Sequence, residues 1–141
     1  MRYKTTQSYV MSKHILQSFL LLLFSIAYAE KPLYVVKDGK VDVATEKGFK
    51  VWREAACGRC HGNNQQGLVG PSLIASLKEL TYDEFITVLI KGRATNGMPG
   101  HPHLKKVDKV TGKRQVEFLY AYLKGRSDGK IPKGRVRSFE K

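Results

Sequence analysis

Five consecutive residues, Cys57-Gly58-Arg59-Cys60-His61, carry the most specific chemistry in this sequence. Two thiols separated by two residues, with an imidazole directly after the second, form the attachment pattern of a c-type haem. The two sulfurs can add to the two vinyl groups of one porphyrin, because the intervening residues span one edge of the ring. His61 is then held beneath the iron, where its neutral imidazole can act as proximal ligand. The motif therefore predicts one covalent haem c and redox chemistry.

Three other uses of the two thiols are alternatives: a structural zinc site, a thioredoxin-like redox pair and a simple disulfide. A structural zinc site usually needs four closed ligands, but Cys57 and Cys60 are the only cysteines in the chain. A thioredoxin-like pair is expected in a βαβ context, and residues 52–56 show no buried strand run. These features favour haem attachment.

The second axial position of the iron is expected to be filled by Met98. This methionine lies in the segment Gly97-Met98-Pro99-Gly100, 37 residues after His61. Its soft thioether would favour the ferrous state and raise the reduction potential. His101 and His103, in the same loop, are rival ligands, and an open position, as in a peroxidase, is the third alternative. Pro71 is expected to orient His61, because its carbonyl can accept a hydrogen bond from Nδ1.

Residues 1–29 have the pattern of a secretory signal peptide. A basic stretch precedes an apolar run over 15–29, which ends with the small-x-small residues Ala27-Tyr28-Ala29. The run is shorter than the roughly 18 to 20 apolar residues that a spanning helix needs. We therefore expect cleavage, export to the periplasm and no stable membrane insertion afterwards. Retention as an anchor is the alternative, and Met11 is an alternative start.

The net charge predicts the kind of partner. The formal charge of the 141-residue chain is +13, and three basic residues lie in the leader, so the remaining 112 residues carry +10. Such a charge attracts acidic partners, and we expect acidic redox proteins, since no nucleic-acid recognition motif is present. A solvated basic surface without a single partner is the alternative. The candidate docking residues near the Met98 loop are Lys91, Arg93, Lys105 and Lys106.

The elements that must hold these residues are expected to be helices, in an all-α fold. A helix over about 44–60 would deliver the thiols at its C-terminal end, with Phe49, Trp52 and Ala56 on one apolar face. Thr81 and Glu84 form a capping box that begins a second helix, which Gly92 ends.

A short helical turn over 73–80 and a last helix over about 113–124, ended by Gly125, complete the prediction, with a long loop over 93–110. No strand is predicted. The tail after Gly125 is basic and is expected to be surface-bound or disordered. The predicted division of the chain is a signal peptide over 1–29, an extended lead-in over 30–43 with a turn at Asp38-Gly39, a haem domain over 44–125 and the tail over 126–141.

The combination of Cys57-x-x-Cys60-His61 early in the mature chain, Met98-Pro99 later and an aromatic-rich last helix resembles a class I cytochrome c. The resemblance implies three main helices wrapped around one covalently bound haem. It also implies that the first and last helices cross, with Gly48 and Phe49 facing Tyr120 or Tyr122.

Four segments extend the resemblance to small periplasmic cytochromes c that accept electrons from quinoprotein methanol or ethanol dehydrogenases. That resemblance implies a carrier, not an enzyme, with a quinoprotein (PQQ) dehydrogenase as donor and a terminal oxidase as eventual acceptor. The alternatives are a small peroxidase-like haem enzyme and a cytochrome subunit permanently bound to a dehydrogenase. The four segments are residues 36–42, 60–62, 82–85 and 120–129.

Overall fold

A computed structural model describes residues 32–140 of the chain. The leader predicted over 1–29, its alternative as a membrane anchor and the alternative start at Met11 all lie outside these residues. Within the part of the chain that is described, no helix has both the length and the apolar character needed to cross a membrane.

A small antiparallel hairpin opens the described chain. Strand β1 (Val36–Lys37) pairs with strand β2 (Lys40–Val41). The predicted turn at Asp38-Gly39 joins them, and both of its residues have positive φ, 49° and 71°. The expectation of no strand was wrong for these four residues, because the turn brings the two flanking residue pairs into hydrogen-bonding register. The rest of the described fold is helical.

Helix α1 (Val43–Glu54) begins at Asp42, whose carboxylate accepts from the Thr45 backbone N at 3.0 Å. The predicted continuous helix over 44–60 is wrong, because α1 ends and a single-turn helix, α2 (Gly58–His61), follows. The break lies at Ala56, whose φ of 52° is left-handed. An alanine at this φ is strained, and nothing in the local sequence announces it.

Two capped helices follow the haem-motif segment. Helix α3 (Leu73–Glu79) begins at Ser72, and helix α4 (Tyr82–Lys91) begins at Thr81. The predicted capping box is confirmed, because Thr81 Oγ1 accepts from the Glu84 backbone N at 3.3 Å and Glu84 Oε2 accepts from the Thr81 backbone N at 2.8 Å. The predicted end at Gly92 is also confirmed.

The predicted long loop contains two 3₁₀ helices, Ala94–Asn96 and Pro102–Lys105, and leads into helix α5 (Gln115–Ser127). The prediction that Gly125 ends this helix was wrong. Gly125 lies inside it, where a Cβ atom would come within 2.5 Å of Ile131 Cδ1. The glycine is therefore needed for close packing of the returning chain rather than for a helix end.

The basic tail packs against this helix and the hairpin. Ile131 is 1% exposed and Val136 is 4% exposed. The Val41 backbone N donates to the Arg137 carbonyl at 3.0 Å, and Phe139 N donates back to the Val41 carbonyl at 3.0 Å. Of the two predicted states of the tail, surface-bound and disordered, the described residues have the first.

The crossing of α1 and α5 is the centre of the fold. At Gly48 the two backbones come so close that a Cβ would lie 2.0 Å from the Phe118 carbonyl oxygen. Phe49 and Tyr122 pack edge to face with ring centroids 5.5 Å apart, as expected, whereas Tyr120 packs on Tyr82 instead. The all-α prediction is confirmed, and three described helices, α1, α4 and α5, have ten or more residues.

Candidate functional site

One cavity brings together all the residues that the sequence singled out as a haem site. Its wall is formed by the end of α1, the short helix α2, the loop before α3, faces of α3, α4 and α5, and the Gly97–Gly100 loop. Residues far apart in sequence therefore share one surface. The predicted site residues in this wall are Cys57, Cys60, His61, Pro71 and Met98.

The single turn of α2 fixes the relative positions of the two thiols and the imidazole. The Cys57 carbonyl accepts hydrogen bonds from the backbone N of Cys60 at 3.2 Å and of His61 at 3.0 Å. Cys57 is half-buried, whereas Cys60 is exposed, and both are free thiols. Burial raises the pKa of the Cys57 thiol to about 11.

His61 is held in one orientation. Its Nδ1 lies 2.8 Å from the Pro71 carbonyl oxygen. A carbonyl only accepts, so Nδ1 carries the proton and Nε2 is left as the neutral donor that an iron requires. Gly70 makes this approach possible, because a Cβ there would lie 3.0 Å from His61 Nδ1. The close contact of Gly70 with His61 was not predicted from the sequence, although Gly70 is adjacent to the predicted acceptor, Pro71.

The loop that carries Met98 is fastened to the end of α4. Arg93 N donates to the Met98 carbonyl at 2.9 Å, and Met98 N donates to the Arg93 carbonyl at 3.1 Å. Gly92 and Gly100 touch so closely that a Cβ on Gly92 would lie 2.5 Å from the Gly100 nitrogen. The glycines flanking this loop therefore let Met98 be held against the core, where it is partly buried.

Of the two rival ligands, His101 lines the cavity and His103 does not. The two rings pack edge to face with centroids 5.6 Å apart. Burial, and then the proximity of His103, lowers the pKa of His101. The neutral form of His101 is therefore favoured, and it lines the cavity as an alternative donor to Met98.

The remaining wall of the cavity is mostly apolar, with Ser76, Arg93 and Asn96 as its other polar residues. Trp52 is 2% exposed, belongs to the core and also borders the cavity. Trp52 therefore packs in the core and also forms part of the cavity wall. A porphyrin needs an apolar slot with a soft or nitrogenous donor at the iron, and these residues fit it. The other large apolar residues of the wall are Leu77, Phe85, Leu89, Leu119 and Leu123.

A larger open depression, of about 870 Å³, adjoins this cavity and shares Trp52 and Ala56 with it. It lies between α1, α2 and the tail, and we refer to it as the basic groove. It contains neither cysteine and no histidine or methionine, so the ligand chemistry lies in the smaller cavity. Its charged residues are Lys50, Arg53, Arg59 and Arg135, with Glu54 as the one acid.

Comparison with known proteins places the chain among c-type cytochromes. Residues 43–123 match the family model described as cytochrome C oxidase, cbb3-type, subunit III. Cytochrome c-555 of Methylococcus capsulatus is 42% identical over 97 residues, which are 68% of this chain and 73% of that protein. Cytochrome c-553I of Paracoccus denitrificans is 30% identical over 112 residues, which are 74% of this chain and 47% of that protein.

A solved structure shares the fold. The crystal structure of the c-type cytochrome XoxG from Methylobacterium extorquens AM1 superposes with a TM-score of 0.62 at 28% sequence identity. The match covers 82% of this chain and 78% of that chain.

Proposed function

The chain belongs to the class I cytochrome c family as a monohaem electron carrier with covalent haem c, and we propose which residues hold the iron and which proteins it serves. Cys57 and Cys60 form the two thioethers, His61 and Met98 are the axial ligands, and Pro71 orients His61. The observation that carries this assignment is the meeting of all five residues in one cavity, with His61 Nδ1 2.8 Å from the Pro71 carbonyl.

The haem, once bound, supplies a one-electron couple, and the chain's own residues determine how that couple behaves. Trp52 and the leucines of α5 exclude water from the slot, which keeps the two oxidation states in similar surroundings. Pro71 fixes the tautomer of His61. A thioether from Met98 favours the ferrous state, and it fills the position that a substrate would need. We therefore propose that the chain is not an enzyme.

The proposed donor is a quinoprotein methanol or ethanol dehydrogenase, and the proposed eventual acceptor is a terminal oxidase. The support is the resemblance of four sequence segments to periplasmic cytochromes that serve such dehydrogenases, including residues 120–129 of α5 and the tail. The proposed location is the periplasm. It is supported by the leader pattern of residues 1–29 and by the chemistry of haem attachment, which takes place outside the cytoplasm.

Two basic surfaces are available for an acidic partner. The first, which we name the distal basic surface, consists of the four exposed residues predicted from the sequence, of which Arg93 also borders the cavity. The second is the basic groove, which touches the haem motif through Arg59. Within residues 32–140, none of the ion pairs involves a cation of the distal basic surface. The residues of that surface are Lys91, Arg93, Lys105 and Lys106.

Stopped-flow mixing tests the donor. Oxidised holoprotein is mixed with methanol dehydrogenase or ethanol dehydrogenase that has been reduced by its own alcohol, and haem reduction is recorded. We expect reduction of one haem per chain at a second-order rate that falls as salt rises, because the attraction is screened. If neither enzyme reduces the haem while a chemical reductant does so readily, the donor assignment is wrong, although the family assignment stands.

Charge variants locate the docking surface in the same assay. A double variant, Lys105→Gln with Lys106→Gln, is expected to slow reduction at low salt and to leave the rate at high salt unchanged. Lys40→Gln, at an exposed position of strand β2, is the control and is expected to have little effect. A loss confined to Arg53→Gln with Arg59→Gln would instead assign docking to the basic groove.

A further inference from the structure

A positive charge is built into the protein interior beside the haem cavity. Arg126, on α5, is only 7% exposed. Each nitrogen of its guanidinium donates to a neutral oxygen: Nε to Gln65 Oε1 at 2.7 Å, Nη1 to the Ile131 carbonyl at 2.7 Å and Nη2 to the Asn64 carbonyl at 3.2 Å. Among residues 32–140, no ion pair includes Arg126. Its charge is hydrogen-bonded but not neutralised by a carboxylate.

Two segments of the chain connect this charge with the iron site. Leu123, which lines the cavity, precedes Arg126 by three residues, a rise of about 4.5 Å along the helix. Asn64, which accepts from Arg126, follows His61 by three residues. Two elements that border the cavity therefore converge on the guanidinium. A charge in such a weakly polarisable interior acts over a longer range than a charge on the surface.

Gln65 connects Arg126 with the loop that orients His61. Its side chain is fully buried, and its Nε2 donates to Tyr122 Oη at 3.2 Å. Its backbone carbonyl accepts from Leu73 N at 2.9 Å and from Ser72 Oγ at 3.4 Å. Ser72 directly follows Pro71. The contacts from Arg126 through Gln65 to Ser72 thus fasten both ends of the segment that presents the Pro71 carbonyl.

We propose that Arg126 raises the reduction potential of the haem through its uncompensated buried charge, and that it is a positioning residue for the 64–72 segment. Oxidation of the iron adds one positive charge to the site, and a fixed positive charge nearby disfavours that step. The proposal rests on the haem-site assignment made above. It adds to that assignment an interior determinant of potential that lies outside the cavity wall.

The test compares two substitutions of Arg126 in the holoprotein by spectroelectrochemical titration. Arg126→Gln removes the charge, and Arg126→Lys keeps the charge but loses the planar set of donors. We expect Arg126→Gln to shift the ferric–ferrous equilibrium on the order of tenfold toward ferric, because an interior unit charge near the site no longer opposes oxidation. That shift equals a potential lower by about 59 mV. Arg126→Lys is expected to keep a potential close to that of the wild type, although it should lose about as much stability as Arg126→Gln.

Ser127→Ala is the matched control, because it removes another buried hydrogen bond from α5, from Ser127 Oγ to the Ile74 carbonyl at 2.8 Å, without changing charge. It should lower the unfolding midpoint and leave the potential unchanged. Should Arg126→Gln not accumulate, Gln65→Glu provides the second measurement. The new carboxylate would replace the amide that lies 2.7 Å from the guanidinium and would largely cancel its field. The ferric–ferrous equilibrium should therefore again shift about tenfold toward ferric.

Three results would overturn the proposal. Wild-type potentials in both Arg126→Gln and Gln65→Glu would show that the charge is not felt at the haem. Equal decreases in Arg126→Lys and Arg126→Gln would assign the effect to lost geometry, and a decrease in Ser127→Ala would assign it to general loosening. The absence of a methionine-ligated spectrum in the wild type would remove the Met98 assignment alone, because the comparison of Arg126 variants does not depend on which ligand lies opposite His61.

Discussion

Substitution of Gly48 by alanine sets two physical effects of opposite sign against each other. In an isolated helix the change should stabilise, because alanine is favoured over glycine by about 1 kcal/mol at a helix interior position. At the crossing of α1 and α5, however, the added Cβ would lie 2.0 Å from the Phe118 carbonyl oxygen, 2.6 Å from the Phe118 carbonyl carbon and 2.8 Å from Tyr122 Cβ.

The obstructing atoms decide which effect is larger. An ordinary contact to a Cβ atom begins near 3.4 Å, so the two helices must separate locally by about 1.4 Å. Two of the three contacts are with backbone, which cannot rotate away as a flexible side chain would. Overpacking of a core usually costs about 1–3 kcal/mol, and a backbone obstacle places this case at the upper end. After the helix-propensity gain, we expect a net loss of about 2 kcal/mol.

Guanidinium unfolding of the holoprotein, followed by far-ultraviolet circular dichroism, measures this loss. The midpoint should fall without a change in slope, and the thermal midpoint should fall by about 10 °C, given about 4–8 °C per kcal/mol in a domain of similar size. Lys50→Ala, at an exposed position of the same helix, is the control and should remain within about 0.5 kcal/mol of wild type. A Gly48→Ala protein as stable as wild type would refute the close crossing.

Substitutions at two further residues test the site and the helix cap. Met98→Ala should lower the reduction potential and let the ferrous protein bind carbon monoxide, as followed in the Soret spectrum; unchanged spectra would refute Met98 as ligand. Burial alone would raise the pKa of Asp42, but hydrogen bonds from Thr45 and Val35 lower it overall, so its charged form contributes stability above about pH 4, which is lost as pH falls through the depressed pKa. Asp42→Ala should cost about 1 kcal/mol at pH 7, whereas Asp42→Asn should keep most of the cap and weaken the acid dependence of unfolding, and a cap variant indistinguishable from wild type would contradict this account.

Features that depend on neighbouring residues could be predicted from the sequence. The Thr81–Glu84 capping box and the end at Gly92 require only chemistry within a few positions, and both form as expected. The same holds for the Asp38-Gly39 turn, although its flanking strands were missed. In each case a side chain or a glycine satisfies a need of the adjacent backbone, so the tertiary fold has little opportunity to override it.

The identity of the site residues could be predicted from the sequence, but their arrangement in one cavity could not. The Cys57–His61 spacing is fixed by the dimensions of a porphyrin, and Met98 stands out because no other methionine follows residue 11. Their common cavity, however, depends on the left-handed φ at Ala56, which separates α1 from α2. Alanine shows no preference for that conformation. A helix-periodicity argument therefore extends the helix through this break.

The end of α5 shows why charged residues near a helix end mislead a reading of the sequence alone. Lys124-Gly125-Arg126 has the composition of an exposed C-terminus, with glycine as the stop and basic residues beside the helix dipole. Yet Ile131 folds back over Gly125, and Arg126 finds three neutral acceptors in parts of the chain up to 62 residues away. Two of those acceptors, Gln65 Oε1 and the Asn64 carbonyl, lie in the loop after His61. The buried cation is therefore held by the same loop that orients His61, which is why its predicted effect should appear in the potential as well as in stability.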